Sequence, residues 1–202
     1  MSTAQRPWDH LLRTPFPCDH IIQLYTDEEV LLRALERFAG SGLEQGEAVI
    51  VIATAEHLAA LTKRLIAGGQ KLPINIAEGA FITLDAERCL ARFMRNGLPD
   101  RAAFRAVVEP VLDRLKTAGY GRIRLFGEMV NLIWRHNGPG TVQLEELWND
   151  VIAEHQVCLL CAYHVEAADA EGKRGLLHRI SRCHSHSFPE DYRAVSPDRP
   201  SA

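Results

Sequence analysis

Gly119-Tyr-Gly-Arg-Ile-Arg-Leu-Phe-Gly-Glu-Met-Val-Asn-Leu-Ile-Trp134 changes its apolar period once, and that change decides the fold. Ile123, Leu125 and Phe126 make a short β-type run behind a glycine turn. After Gly127 the spacing of Met129, Val130, Ile133 and Trp134 is helical. A strand therefore ends where a helix begins, and in an open α/β sheet that junction lies at the carboxyl edge, where ligand crevices form. Gly127 is expected to turn the backbone there without a Cβ in the way. Glu128 then stands at the mouth of the sheet, either as a ligand-binding carboxylate or as a first-turn acid favoured by the helix dipole.

The same alternation recurs on both sides of this stretch. His20–Tyr25, Ala48–Thr54, Phe81–Asp85 and Val157–Tyr163 are compact apolar runs of strand length. Helical stripes follow them, among them Val30, Leu31, Ala34, Leu35 and Phe38, and later Leu144, Leu147, Trp148 and Val151. Thr26 to Glu29 and Thr54 supply helix N-caps and first-turn acids. Asp100 opens a long helix whose Pro110 should kink it or start a new segment. Five strands alternating with helices predict an α/β three-layer sandwich with a mainly parallel five-stranded sheet. Residues 1–17, with three prolines, read as an irregular arm that packs through Trp8, Leu11 and Leu12. Residues 18–188 read as the domain, and the Pro- and Ser-rich residues 189–202 as a disordered tail.

A chain of 202 residues suits one domain with a real core, and a net charge of −3 gives no electrostatic reason to expect nucleic acid or anionic lipid as partner. With no signal peptide and no apolar run long enough to cross a bilayer, the expected location is the cytoplasm, without membrane attachment. Five scattered cysteines fit reduced thiols better than a disulfide framework.

Chemistry is constrained by what the strand ends carry. Tyr25-Thr-Asp-Glu-Glu29 stands where a phosphate loop would be, and its three acids repel phosphate, so ATP binding and hydrolysis are not expected. No nucleophile elbow and no catalytic triad are recognisable, so the chain reads as a non-enzyme. Cys161 with His20, His164 or His186 as base is the remaining hydrolase arrangement. Cys161, His164, His178, Cys183, His184 and His186 crowd the last quarter. Thiolate and imidazole suit zinc or iron, yet the spacing is not that of a structural zinc site, so no metal or other cofactor is assigned; Cys161, His164, Cys183, His184 and His186 stay as the weaker metal candidates. Glu145 and Asn149, four apart on a helix, flank its apolar stripe and could offer an acceptor and an amide to a crevice.

With these residues in place the chain resembles the MEDS family, a bacterial and archaeal sensory domain named for methanogens and methylotrophs. The segments that carry the resemblance are Asp19–Tyr25, Gly42-Leu-Glu-Gln-Gly-Glu47, Gly121–Met129, Glu145 with Asn149, Leu160-Cys-Ala-Tyr163 and His184-Ser-His186. The resemblance implies a RecA- or KaiC-like sheet without its phosphate loop. It implies sensing of small molecules, proposed to be hydrocarbon derivatives, and output through a histidine kinase or a transcription regulator. Neither end of the chain has room for such an output module, so a stand-alone sensor would act through a partner protein; a second copy of the chain is the other candidate partner. The expected ligand-binding residues are His20, Tyr25, Glu128, Met129, Glu145, Cys161, Tyr163 and His186, gathered at the carboxyl edge of the sheet. His20 is kept among them on the resemblance, since its position lies toward the amino edge. Two other readings use the same residues or none: a thiol- or metal-dependent small-molecule enzyme, and a non-catalytic ATPase-like scaffold.

Overall fold

A computed structural model describes residues 7–188. In chain order the elements are α1 (Pro7–Arg13), β1 (His20–Tyr25), α2 (Glu28–Glu44), β2 (Ala48–Ala53), α3 (Ala55–Ala67), α4 (Leu72–Ala77), β3 (Phe81–Asp85), α5 (Ala86–Phe93), β4 (Met94–Arg95), β5 (Leu98–Pro99), α6 (Arg101–Thr117), β6 (Ile123–Gly127), α7 (Met129–Ile133), α8 (Gly138–His155), β7 (Cys158–His164), α9 (Ala167–Gly172), α10 (Arg174–Ser181) and β8 (His186–Phe188). The main sheet has the order β3-β2-β6-β7-β1-β8 with every pairing parallel. No helix among the described residues is long and apolar enough to cross a membrane.

Each of the five expected strands is present, and the sheet has a sixth. β8 adds to the outer edge of β1, pairing Ile21 with His186 and Gln23 with Phe188. Its three residues lack the apolar alternation that marks a strand in sequence, because backbone pairing along an edge asks little of the side chains. The proline-bearing arm contains a helix, α1, which begins at Pro7, a position that proline's fixed φ suits. Leu12 is fully buried, and Trp8 and Leu11 pack against the core. α4 forms around Pro73, again with the proline in its first turn. α6 runs unbroken through Pro110, carried by the buried Phe104, Val107, Val108, Leu112 and Leu115. The tail at 189–202 lies outside the described residues.

Side chains along each strand alternate between two cores. On one face Ile21, Tyr25, Val49, Val51, Phe126, Leu160 and Ala162 pack against α1, α2 and α3. On the other, Ile22, Leu24, Ile50, Ile52, Leu125, Leu159, Cys161 and Tyr163 pack against α5, α6, α7, α8 and α10. Asp27, Thr54, Asp85 and Asp100 each cap their helix by accepting a backbone N–H, from Glu29, His57, Arg88 and Ala103.

One polar cluster lies within the first core. Arg124 of β6, fully buried, donates to the Glu47 carboxylate, to the carbonyls of Leu12, Arg13 and Phe38, and to Ser41 Oγ. Arg122 adds a second bond to Glu47 at 2.7 Å. Gly42 makes room for this guanidinium, since a Cβ there would come within 2.8 Å of Arg124 Cδ. Gly42–Glu47 and Gly121–Arg124, whose bonded pair Glu47 and Arg124 lies 77 residues apart in sequence, thus meet for a structural purpose.

Candidate functional site

The residues expected at one crevice fall into two places. The first is the carboxyl edge of β2, β6, β7 and β1. Glu128, 1% exposed, accepts from the backbone N–H of Thr54 at 3.0 Å and meets His57 Nδ1 at 2.8 Å. Asn131 continues the seam, donating to the Tyr25 hydroxyl at 3.3 Å and accepting from the His164 backbone N–H at 2.8 Å. Helices leave β2 and β6 toward opposite faces, and so do those leaving β1 and β7. At these two junctions, where an open sheet forms its crevices, Glu128 and Asn131 bridge the neighbouring segments. Met129 is buried in the second core. Gly127 needs no special backbone here, as a Cβ would make only an ordinary 3.6 Å contact with Leu159.

Glu128 and His57 form a pair with a pH signature. The hydrogen bond to Glu128 raises the His57 pKa above its ordinary value, against the opposing effect of burial. A raised histidine contributes stability in full below the unfolded-state pKa of about 6.5 and loses it as pH rises through the higher folded value. Glu128→Gln should therefore cost about 1–2 kcal/mol at pH 5–6, and should flatten the decline in stability that the parent shows above that range. Urea unfolding at several pH values measures both; a parallel pH profile in parent and variant would dismiss the pair as a stabilising element.

The second place lies on the other face of the sheet, under α8 and the segment that follows α10. His20, Cys161 and Tyr163 point into it from β1 and β7, Glu145 and Asn149 from α8, and His184 from the turn before β8. Neighbouring strands in register put His20 beside Leu159 and Ile22 beside Cys161, so His20 and Cys161 share a face. His20 Nε2 lies 3.3 Å from Glu145 Oε2 and 3.4 Å from Cys161 Sγ. Cys161 Sγ lies 3.6 Å from Glu145 Oε2, and His184 Nε2 lies 3.5 Å from Glu145 Oε1. Tyr163 donates its hydroxyl to Glu145 Oε1. The imidazoles of His20 and His184 pack with ring centres 4.0 Å apart. The side chains of Glu145 and His184 are wholly inaccessible.

Burial works to raise the Glu145 carboxyl, but the fields of His184 and His20 and the Tyr163 hydroxyl outweigh it and hold it down at about 2. Burial pushes His184 down to about 4 against the pull of Glu145. Burial, then the Glu145 charge, pushes the Cys161 thiol and the Tyr163 phenol well above their usual ranges. Cys161 is a protonated thiol in this setting and a poor nucleophile.

Of the expected ligand-binding residues, His20, Glu145, Cys161 and Tyr163 come together here. Tyr25, Glu128 and Met129 do not join them. His186 sits at the sheet edge, where its Nε2 pairs with Asp19 at 3.2 Å. Among the weaker metal candidates, Cys161 and His184 join the cluster. His164 instead contacts Arg135 at 2.8 Å and the Thr26 carbonyl at 3.2 Å. Cys183 contributes its backbone carbonyl, 3.0 Å from His20 Nδ1, while its thiol donates to the Arg179 carbonyl. His57 and Asn131 had no sequence signal, since each is defined by a partner more than thirty residues away.

No curated protein matches the chain. The family described as MEDS, the methanogen/methylotroph, DcmR sensory domain, matches residues 19–185, which takes in every strand of the main sheet but β8 and every residue of the buried cluster. The chain belongs to the MEDS family of sensory domains.

Proposed function

We propose that this sensory domain reads a small, hydrocarbon-derived organic ligand at the cluster of His20, Glu145, Cys161, Tyr163 and His184. The observation that carries the reading is the enclosure of five reactive or polar side chains between β1, β7 and α8 under a C-terminal cover. A core gains nothing in stability from such groups unless they serve a ligand or one another. The cover is attached through backbone and side chain: Ser185 donates its N–H to the His20 carbonyl at 2.8 Å and accepts from the His20 N–H at 2.9 Å. A ligand that moves His184 therefore moves the start of β8 at the sheet edge, where a change can reach another protein.

The output, on this reading, goes to a separate regulatory protein in the cytoplasm, such as a histidine kinase or a transcription regulator. The domain performs no catalysis of its own. A RecA- or KaiC-like origin fits the parallel three-layer sheet and the Asp27 cap, which takes the Glu29 N–H at the helix end where a phosphate would bind.

Native mass spectrometry of the chain purified from its own host tests the reading. Added mass of a small organic molecule is expected in the parent and is expected to be lost in Glu145→Leu, while Glu128→Gln retains it. Retention by Glu145→Leu, or its loss in Glu128→Gln alone, would move the site to the carboxyl edge.

A further inference from the structure

We propose that His20 Nε2, His184 Nε2, Glu145 and Cys161 Sγ together form a tetrahedral site for a divalent transition metal of the zinc class. The four ligand atoms all lie within 4.8 Å of one another. A tetrahedral ion with bonds of about 2.0 Å to nitrogen and oxygen and about 2.3 Å to sulfur has ligand-to-ligand edges of roughly 3.3–3.6 Å. The observed edges are 3.3 Å for His20 to Glu145, 3.4 Å for His20 to Cys161 and 3.6 Å for Cys161 to Glu145. His184 reaches Glu145 at 3.5 Å through the other carboxylate oxygen.

The imidazole tautomers point the same way. His20 Nδ1 faces the Cys183 carbonyl at 3.0 Å and Asn149 Oδ1 at 2.8 Å, both acceptors, so Nδ1 carries the proton. His184 Nδ1 faces the Ile180 carbonyl at 2.8 Å and is protonated for the same reason. Each ring then turns Nε2 toward the Glu145 carboxylate. His184 Nε2 is wholly buried and makes no hydrogen bond. Among the described residues Glu145 has no Lys or Arg in an ion pair. Two imidazoles, a thiol and a carboxylate thus converge in a dry interior, a donor set that a divalent cation can bind. Histidines held by carbonyls at Nδ1, and a carboxylate held by the Tyr163 hydroxyl, are the supporting contacts that orient metal ligands. Two imidazoles and a sulfur select zinc, cobalt or iron over magnesium or calcium. On binding, the Cys161 thiol loses its proton to solvent, one per ion, and the thiolate bonds the metal.

This inference takes the same cluster as the sensing reading, and the two fail separately. Metal-stripped protein is titrated with Co²⁺. The expected result is one ion per chain, the intense visible bands of tetrahedral cobalt and a sulfur-to-cobalt charge-transfer band, with displacement by Zn²⁺. Cys161→Ser should abolish the charge-transfer band. His184→Ala, in the turn before β8, serves as the second variant and should weaken uptake. Tyr163→Phe should weaken it by about 10–100-fold. No uptake, or a weak octahedral spectrum indifferent to Cys161→Ser and His184→Ala, overturns the site. Cobalt uptake in a chain that never carries organic mass would leave the metal site standing and remove the organic-sensing reading.

Discussion

Arg124→Met is expected to destabilise the protein by about 3–5 kcal/mol, the cost of removing one partner from a buried ion pair. Arg124 is fully buried, and its guanidinium is shared among Glu47, Ser41 and three backbone carbonyls from α1 and α2. Methionine fills much of the volume but donates nothing. Glu47 would keep only the half-exposed Arg122, and the carbonyls of Leu12, Arg13 and Phe38 would lose the guanidinium. Since α1 is held to the sheet partly by these bonds, its hydrogen exchange should rise first. The double variant Arg124→Met with Glu47→Leu should recover part of the loss, because replacing both charges removes the desolvated carboxylate as well. Urea unfolding of the four proteins in the cycle decides it. A loss below about 1 kcal/mol for the single variant, or a double variant as unstable as the sum, would show that Arg124 is not what binds these segments.

The five long strands and most helices were legible because their apolar periods are unambiguous and their caps are local. β8 was not, since three residues pairing along an edge leave no pattern. α1 was obscured because prolines that break helix interiors are compatible with first turns. The site was legible in part. Cys161 and Tyr163, two residues apart on a buried strand, had to share a face. His20 and Tyr25 are five apart, an odd number, so the pleat sends them to opposite faces; distance along the strand was the lesser obstacle to their meeting. That parity alone separates Tyr25 from the cluster. Glu145 and Asn149 were identifiable as a pair on the flank of the α8 stripe. What they face depends on how α8 crosses the sheet, and no local signal carries that. His57 and Glu128 show the same limit: each is ordinary in its own helix turn, and only the adjacency of β2 and β6 makes them a pair.

Trp148→Ala is the second large effect, and it bears on the cluster from behind. Trp148 is fully buried on α8, three residues after Glu145 and one before Asn149. Its ring meets Phe104 edge-on at 4.9 Å, and Phe104 meets Phe93 in the same way at 5.3 Å, which ties α8 to α6 and α5. Truncation to alanine removes this contact and leaves a cavity between helices, a change that costs about 3–5 kcal/mol for a buried tryptophan. For a chain of this size the melting temperature should fall by roughly 6–20 °C, at about 2–4 °C per kcal/mol. Trp148→Phe should cost much less. It keeps an aromatic edge against Phe104 and removes an indole N–H that finds no partner among the described residues, which offsets some of the lost area. The functional consequence follows from α8 carrying Glu145. A helix free to settle into the cavity no longer holds that carboxylate within reach of His20, Cys161 and His184, so Trp148→Ala should also weaken cobalt uptake at temperatures where it remains folded, and Trp148→Phe should not. Calorimetry gives the first quantity and the cobalt spectrum the second. If alanine lowers the melting temperature while leaving uptake unchanged, α8 is held in place by its contacts with β7 and α10, and the aromatic stack has no part in positioning the cluster.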